Sequence, residues 1–333
     1  MPPLMERDQI GKAQQLADLI TNIEAEATPV SSMARKESKP KQNLIEYQAE
    51  VFDDVGHEGV VDGKDVDSFE HQQREKLYAR GQKVWHNPSV SDFAEETTIK
   101  GLSGGEMAHQ KAVALIQVKR KIERRILANV DSKPDNGLIP YETRGLPAWI
   151  QTTAQADLPV PSAVRPPAGS IYSDTLANFT EDSLTDILEA QYNIRKPRVT
   201  LDGIVGSKLK RQITGFSIYQ DEVNDKVGVR QFNQNAKDKS IIRIVDKLAT
   251  DFGDVRLHLS SYLYTAAATG AFSDESLRSG LFLDMRYISM AYTRMPRIKD
   301  LEDRGGGPRA IVDAIFALLC YAPHAQSKAQ ISS

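Results

Sequence analysis

The chain has 333 residues, 40% of them hydrophobic, with 42 Lys and Arg against 45 Asp and Glu and a formal net charge of -3. This is the composition of a folded globular protein, long enough for one large domain or two ordinary ones. It excludes a disordered chain, a collagen-like repeat and a protein that is basic along its whole length. A single cysteine, Cys320, excludes an internal disulfide and a cysteine-based zinc site and suits a reducing compartment. No two of the six histidines stand three or four residues apart, so none pair as metal ligands on a helix face, and no cofactor or metal is expected. No apolar run approaches membrane-spanning length and no secretory leader is visible, so no membrane partner is expected.

Taken in chain order, Ile10, Leu16, Ala17, Ile20 and Ile23 recur at roughly helical spacing and predict a helix over residues 5–27. The polar stretch 28–42 reads as a tether, making 1–43 an arm. Residues 44–52 predict a strand, and 76–80 and 83–86 two further pieces joined by a turn at Gly81-Gln82, so that 44–100 is a long two-stranded excursion. It is acidic: residues 46–75 carry ten carboxylates, Asp62, Asp65 and Asp67 among them, against Lys64 and Arg74. With few apolar residues it must lie on something else.

Residues 103–130 predict the longest helix, with a Ser103/Glu106 capping box and a stripe of Ala108, Ala112, Leu115, Ile116, Ile122 and Ile126. Lys119, Arg120, Lys121, Arg124 and Arg125 crowd its end against Glu123 alone, more cations than the helix dipole requires. They suit either nucleic-acid phosphates or a solvated, subunit-contacting helix face. A proline-rich connection follows over 131–172. Thr180 caps a helix to Tyr192, 199–205 is a strand, and Ser207 caps a short helix to Ile213. Strands are expected at 240–246, 255–259, 282–292 and 310–319, giving an α+β chain with its strands late.

Three motifs suggest chemistry and lack its context. Leu102-Ser103-Gly104-Gly105-Glu106 resembles an ABC-ATPase signature loop, but no phosphate-binding loop accompanies it. Asp251-Phe252-Gly253 spells a kinase metal motif without a catalytic loop, and reads as a strand turn. Arg304-Gly305-Gly306-Gly307-Pro308-Arg309 reads as a turn before the last strand. Cys320 ends an apolar run, where an inert buried thiol is expected. No catalytic residue is assigned.

The order of parts resembles the major capsid protein of tailed phages, the Johnson fold: helical arm, acidic two-stranded loop, long cationic helix, irregular link, α+β body. Local stretches carry the likeness. Residues 108–129, ending Lys119-Arg120-Lys121-Ile122-Glu123-Arg124-Arg125-Ile126-Leu127-Ala128-Asn129, are similar to the spine helix of a capsid family from short-tailed phages with prolate heads. Arg144-Gly145-Leu146-Pro147-Ala148-Trp149-Ile150 resembles that family's glycine-tryptophan segment, and 180–192, 197–206 and 208–216 its helix, strand and short helix.

The resemblance implies five parts: an arm at 1–43, a strand and extended loop at 44–100 and a spine helix at 101–135. An axial domain with peripheral-domain strands at 136–310 and a C-terminal strand and tail at 311–333 complete them. It implies self-assembly as hexamers and pentamers into an icosahedral or prolate head around double-stranded DNA, in the virion and built in the host cytoplasm, with portal, scaffold and decoration proteins as further partners. Expected subunit contacts are Ile10, Leu16, Ile20 and Ile23 of the arm and Asp62, Asp65, Asp67 and Trp85 of the loop. Expected DNA-facing residues are Lys119, Arg120, Arg124 and Arg125. Some capsids of this fold crosslink a loop lysine to an asparagine. The last asparagine here is Asn235, so the C-terminal region offers none. An encapsulin-like shell, a portal-associated head protein and an α+β enzyme with an oligomerising arm are the alternatives.

Overall fold

Among the described residues a four-stranded and a six-stranded sheet share one chain with two two-stranded ribbons. The computed structural model describes residues 28–52, 57, 59–65, 69, 71–97, 105–195, 198–216, 218–221, 226–229, 245–263 and 274–331. The expected arm helix, with Ile10, Leu16, Ile20 and Ile23, lies outside the described residues, as do Asp67, Ser103 and most of the strand expected at 240–246.

The expected tether is structured instead. It forms a short helix α1 (Pro29–Met33) and a strand β1 (Arg35–Glu37). Strands β2 (Leu44–Glu50) and β3 (Arg74–Arg80) pair antiparallel as a two-stranded ribbon, with Leu44 opposite Arg80, that packs on the core through Ala49, Leu77 and Ala79. Strand β4 (Gln82–His86) does not turn back on β3, as the Gly81-Gln82 reading expected. It enters a four-stranded sheet, pairing with β13 (Arg309–Cys320). Gly81 is therefore a crossing point between sheets, where the Gly81 amide donates to the Asn43 carbonyl at 2.8 Å.

After a short helix α2 (Asp92–Glu96) comes α3 (Glu106–Leu127), the expected long helix. It starts at Glu106, not Ser103. Gly105 takes the cap position at φ 85°, and the Met107 amide donates to a Glu95 carboxylate oxygen at 2.8 Å, so α2 caps α3. The buried stripe is Met107, Ala114, Val118, Ile122 and Ile126, rotated from the expected one. Ala108 and Ala112 face water, where small residues cost nothing. From Ala114 onward the stripe packs on the four-stranded sheet, ordered β1-β12-β13-β4 with β12 at Ile288–Leu301, against Met290, Val312, Ala314, Phe316 and Leu318. The alternating inward residues of β13 follow the pleat.

The short helix α4 (Leu146–Trp149) and the proline-rich link lead to a second sheet, ordered β5-β14-β11-β6-β10-β9. In chain order its members are β5 (Ile171–Tyr172), β6 (Val199–Val205), β9 (Lys247–Ala249), β10 (Gly253–Leu259), β11 (Gly280–Leu283) and β14 (Ser327–Ala329). Helix α5 (Glu181–Arg195) and helix α6 (Ser207–Gly215) cover it through Leu184, Ile187, Leu188, Leu209 and Ile213. Thr180 caps α5, its hydroxyl accepting from the Ser183 amide at 3.3 Å. Ser207 is the first residue of α6 and not its cap, which is Gly206. Strands β7 (Ile218–Asp221) and β8 (Lys226–Val229) form a separate hairpin, and α7 (Asp274–Arg278) precedes β11.

The strand expected over 282–292 is two strands in two sheets. β11 ends at Leu283, a single helical turn spans Met285–Tyr287, and β12 (Ile288–Leu301) continues in the four-stranded sheet. Asp284, 1% exposed, makes the crossing by accepting from the Arg286 amide at 3.2 Å and from its guanidinium at 2.6 and 2.9 Å. The expected C-terminal tail is likewise ordered, with β14 inside the second sheet. Among the described residues no helix is long and apolar enough to cross a membrane.

The rotated stripe has a direct test. Ile122→Ala should lose about 2–5 kcal/mol in urea unfolding, and Ala112→Gln should stay within about 0.5 kcal/mol. Equal losses would put the stripe back where the sequence spacing placed it.

Candidate subunit-contact surfaces and the buried junction

The expected contact residues occupy different places. Asp62 and Asp65 sit exposed in the extended loop, beside a turn in which the Lys64 amide donates to the Val61 carbonyl at 3.2 Å and Gly63 takes φ 80°. Large apolar side chains stand in water along the same loop: Phe52, Val60, Val61 and Phe69 are 75–88% exposed. Trp85 is half exposed but belongs to the edge strand β4, with the Lys83 ammonium 4.9 Å from its ring centre, and is not part of the loop.

The cations of α3 divide. Lys119 and Lys121 are exposed, and the Lys121 ammonium donates to the Trp85 carbonyl at 2.7 Å. Arg120 and Arg124 are partly buried. Arg125 is turned inward. Its guanidinium donates to the carbonyls of Thr143 at 2.8 Å and Asp131 at 3.1 Å and pairs with Glu142 at 3.1 Å. Burial lowers its pKa, and the Glu142 charge opposes that.

That inward turn of Arg125 marks a buried polar junction. Arg144, 2% exposed, donates to the Asp131 carboxylate at 2.7 Å, to the Leu158 carbonyl at 2.9 Å and to the Asp157 carbonyl. The buried Trp149 ring lies against its guanidinium at 4.6 Å. Asp157 in turn holds Arg80 of β3 through two bonds of 2.8 and 3.1 Å and accepts from the Ser132 hydroxyl at 2.7 Å. The ribbon, the end of α3 and the proline-rich link therefore meet on paired charges, although Arg144 Nη1 and Trp149 Nε1 are buried without a hydrogen-bond partner. Gly145 completes the fit, because a side chain there would run into the Ala128 carbonyl oxygen. From the second sheet, buried Lys328 donates to the Pro147 carbonyl at 3.0 Å. Burial pushes its pKa down to about 8 against the pull of Glu275. Tyr47 ties the ribbon to β13, its hydroxyl donating to the Cys320 carbonyl at 2.9 Å. Cys320 is buried, its thiol pushed up to about 12, as an inert thiol should be.

Sequence reading missed Glu123, which it counted only as one anion among cations. Glu123 is fully buried and accepts from the amides of Val30 at 2.9 Å and Ser31 at 2.8 Å, clamping the arm root onto α3. Burial raises its carboxyl above the usual value, and the Ser31 and Val30 donors oppose this. A lone acid on a cationic helix face was the available signal.

The Arg80 guanidinium holds Asp157 below the ordinary carboxylate value of 3.8. Below that value the unfolded chain binds more protons than the native one. The pair's stabilisation is therefore complete above it and is lost as pH falls through the lower native value. Arg80→Gln should flatten the acid limb of a stability–pH profile, and an unchanged limb would show that the pair contributes nothing.

Comparison with known proteins agrees with this architecture. Residues 5–326 match the family model described as SU10 major capsid protein. Solved structures similar to the chain include one from Mycobacterium phage Bobi, at 10% identity and TM-score 0.57 over 97% of this chain and 96% of that one. The capsid of the cyanophage P-SCSP1u aligns at 9% identity and TM-score 0.58, covering 96% and 93%. The capsid of a native GTA particle aligns at 10% identity and TM-score 0.59, covering 97% and 96%. A search of curated protein sequences finds no match. At these identities the structural likenesses establish the fold, the Johnson fold of tailed-phage capsids. The family match establishes the rest: the chain belongs to the SU10 major capsid protein family, a structural shell protein that assembles with itself and not an enzyme.

Proposed function

We propose that the chain assembles as hexamers and pentamers into a closed head around double-stranded DNA, in the host cytoplasm, with each extended loop lying on a neighbouring subunit. The observation that carries this reading is the exposure of the loop. Phe52 and Phe69 are 81% and 88% exposed, and the β2–β3 ribbon is a two-stranded sheet of its own. The ribbon's base packs on its own core through Leu77 and Ala79, but these loop side chains beyond it do not, and they gain by burial against a partner. A subunit of a shell always has a second copy within reach.

The arm residues Ile10, Leu16, Ile20 and Ile23 are proposed to dock on a neighbour, beginning from a root that Glu123 fixes in place. Arg120 and Arg124 remain the proposed DNA-facing pair, Arg125 having been taken by the junction and Lys119 lining the groove at the arm root. Their contact with phosphate is weak and unspecific, in keeping with a near-neutral chain. Portal, scaffold and decoration proteins are proposed partners on the precedent of the fold. The encapsulin-like and enzyme alternatives are not favoured by the family match.

Replacing residues 57–66 by a Gly/Ser linker of equal length tests the loop assignment. The variant should unfold thermally like the parent and fail to form shells by electron microscopy. Shells at the parental critical concentration would contradict the reading.

A further inference from the structure

Above the Glu123 clamp lies an open groove of about 250 Å³. A water's share of liquid volume is about 30 Å³, so the groove has room for side chains and not merely for single solvent molecules. Its floor is apolar, made by Ile122 of α3 and Tyr292 and Met295 of β12. Met295 is 59% exposed. Its rim is cationic and hydroxylic, made by Lys119 of α3 with Lys36 and Ser32 of the arm root. One wall is therefore the arm root itself, present only while residues 28–37 stay docked. That docking rests on the two amide bonds to Glu123 and on the parallel pairing of Arg35–Glu37 with Ser289–Ala291.

The loop turn is complementary to this groove. Val60 and Val61 are 79% and 75% exposed, and Asp62 and Asp65 flank the turn. Within one chain the two features do not meet, since the valines are in water and the groove is open. We propose that the groove receives the Val60–Asp65 turn of a second copy, with the valines on the Ile122–Tyr292–Met295 floor and Asp62 and Asp65 facing Lys36 and Lys119. The site exists only while the arm root stays docked, which Glu123 supports together with the β1–β12 pairing and buried Val30 and Ala34. The arm and the loop are thus coupled: a subunit whose arm root is undocked cannot receive its neighbour's loop. This deepens the assignment of the loop to a neighbouring subunit and rests on it.

Charge reversal in the full-length chain tests the pairing. Lys36→Glu with Lys119→Glu should raise the critical concentration for shell assembly, as should Asp62→Lys with Asp65→Lys, and the four changes together should restore it. The effect should shrink with added salt, because such pairs are screened over about 8–10 Å. A second measurement is geometric. Ser32→Cys with Val61→Cys should give disulfide-linked subunits in oxidised shells, Cys320 being buried and unreactive. Adding Glu123→Ala should lower that yield. Two failing quadruple and crosslink results, while the 57–66 replacement still abolishes shells, would remove the groove and leave the loop assignment standing. A crosslink of Ser32→Cys to Ile20→Cys in place of Val61→Cys would put the chain's own arm in the groove and overturn the proposal. An unchanged yield in Glu123→Ala would remove the coupling.

Discussion

The guanidinium of Arg144 is the point on which three distant parts of the chain depend. It is buried against two partly exposed aspartates, Asp131 through its carboxylate and Asp157 through its carbonyl, and each of these carries another segment. Asp157 holds the ribbon through Arg80, and Asp131 continues from the end of α3, where its carbonyl accepts from Arg125. A buried ion pair is not by itself a source of stability, since desolvation offsets much of the attraction. What it supplies here is geometry. Arginine presents a planar fork of donors, so Arg144 fixes the angle at which the link leaves α3, and a lysine at that position would act only as a point charge. Removing either aspartate would leave the buried Arg144 guanidinium with fewer partners, while the aspartates themselves keep some access to water.

Around this junction the molecule separates what it stabilises alone from what it leaves to assembly. The four-stranded sheet under α3 and the six-stranded sheet under α5 and α6 each bury a continuous apolar layer. They are joined where the chain crosses at Asp284, and by Lys328 reaching the Pro147 carbonyl. The ribbon beyond Glu50 and Arg74 buries little on its own chain. Ordering it costs conformational entropy, which on the proposed assembly a neighbour's surface offsets. Glu123 sits at the boundary, fixing the root of the arm and with it one wall of the groove.

Periodicity made much of this legible. The helix at 106–127 and the strands at 199–205 and 309–320 follow from apolar spacing, and the order of the parts carried the family resemblance. The failures share one cause, partners far away in sequence. Residues 83–86 look like the return of a hairpin because their alternation is local, whereas their partner is β13, more than two hundred residues on. Residues 282–292 look like one strand because both halves are apolar, and only Asp284 and its bonds to Arg286 show the change of sheet. The stripe of α3 was misplaced because small alanines suit either face. Glu123 and Arg125 were read through the charge of their neighbours, when burial against Val30, Ser31, Thr143 and Glu142 decides what they do.

The junction is most directly tested by amide hydrogen exchange of Arg144→Lys. If Arg144 couples the ribbon, the end of the spine helix and the link, protection should fall together in residues 74–86, 125–131 and 144–158. It should be unchanged in the paired strands 199–205 and 253–259. Loss confined to residues 144–149 would show that Arg144 serves only its own segment and would contradict the account.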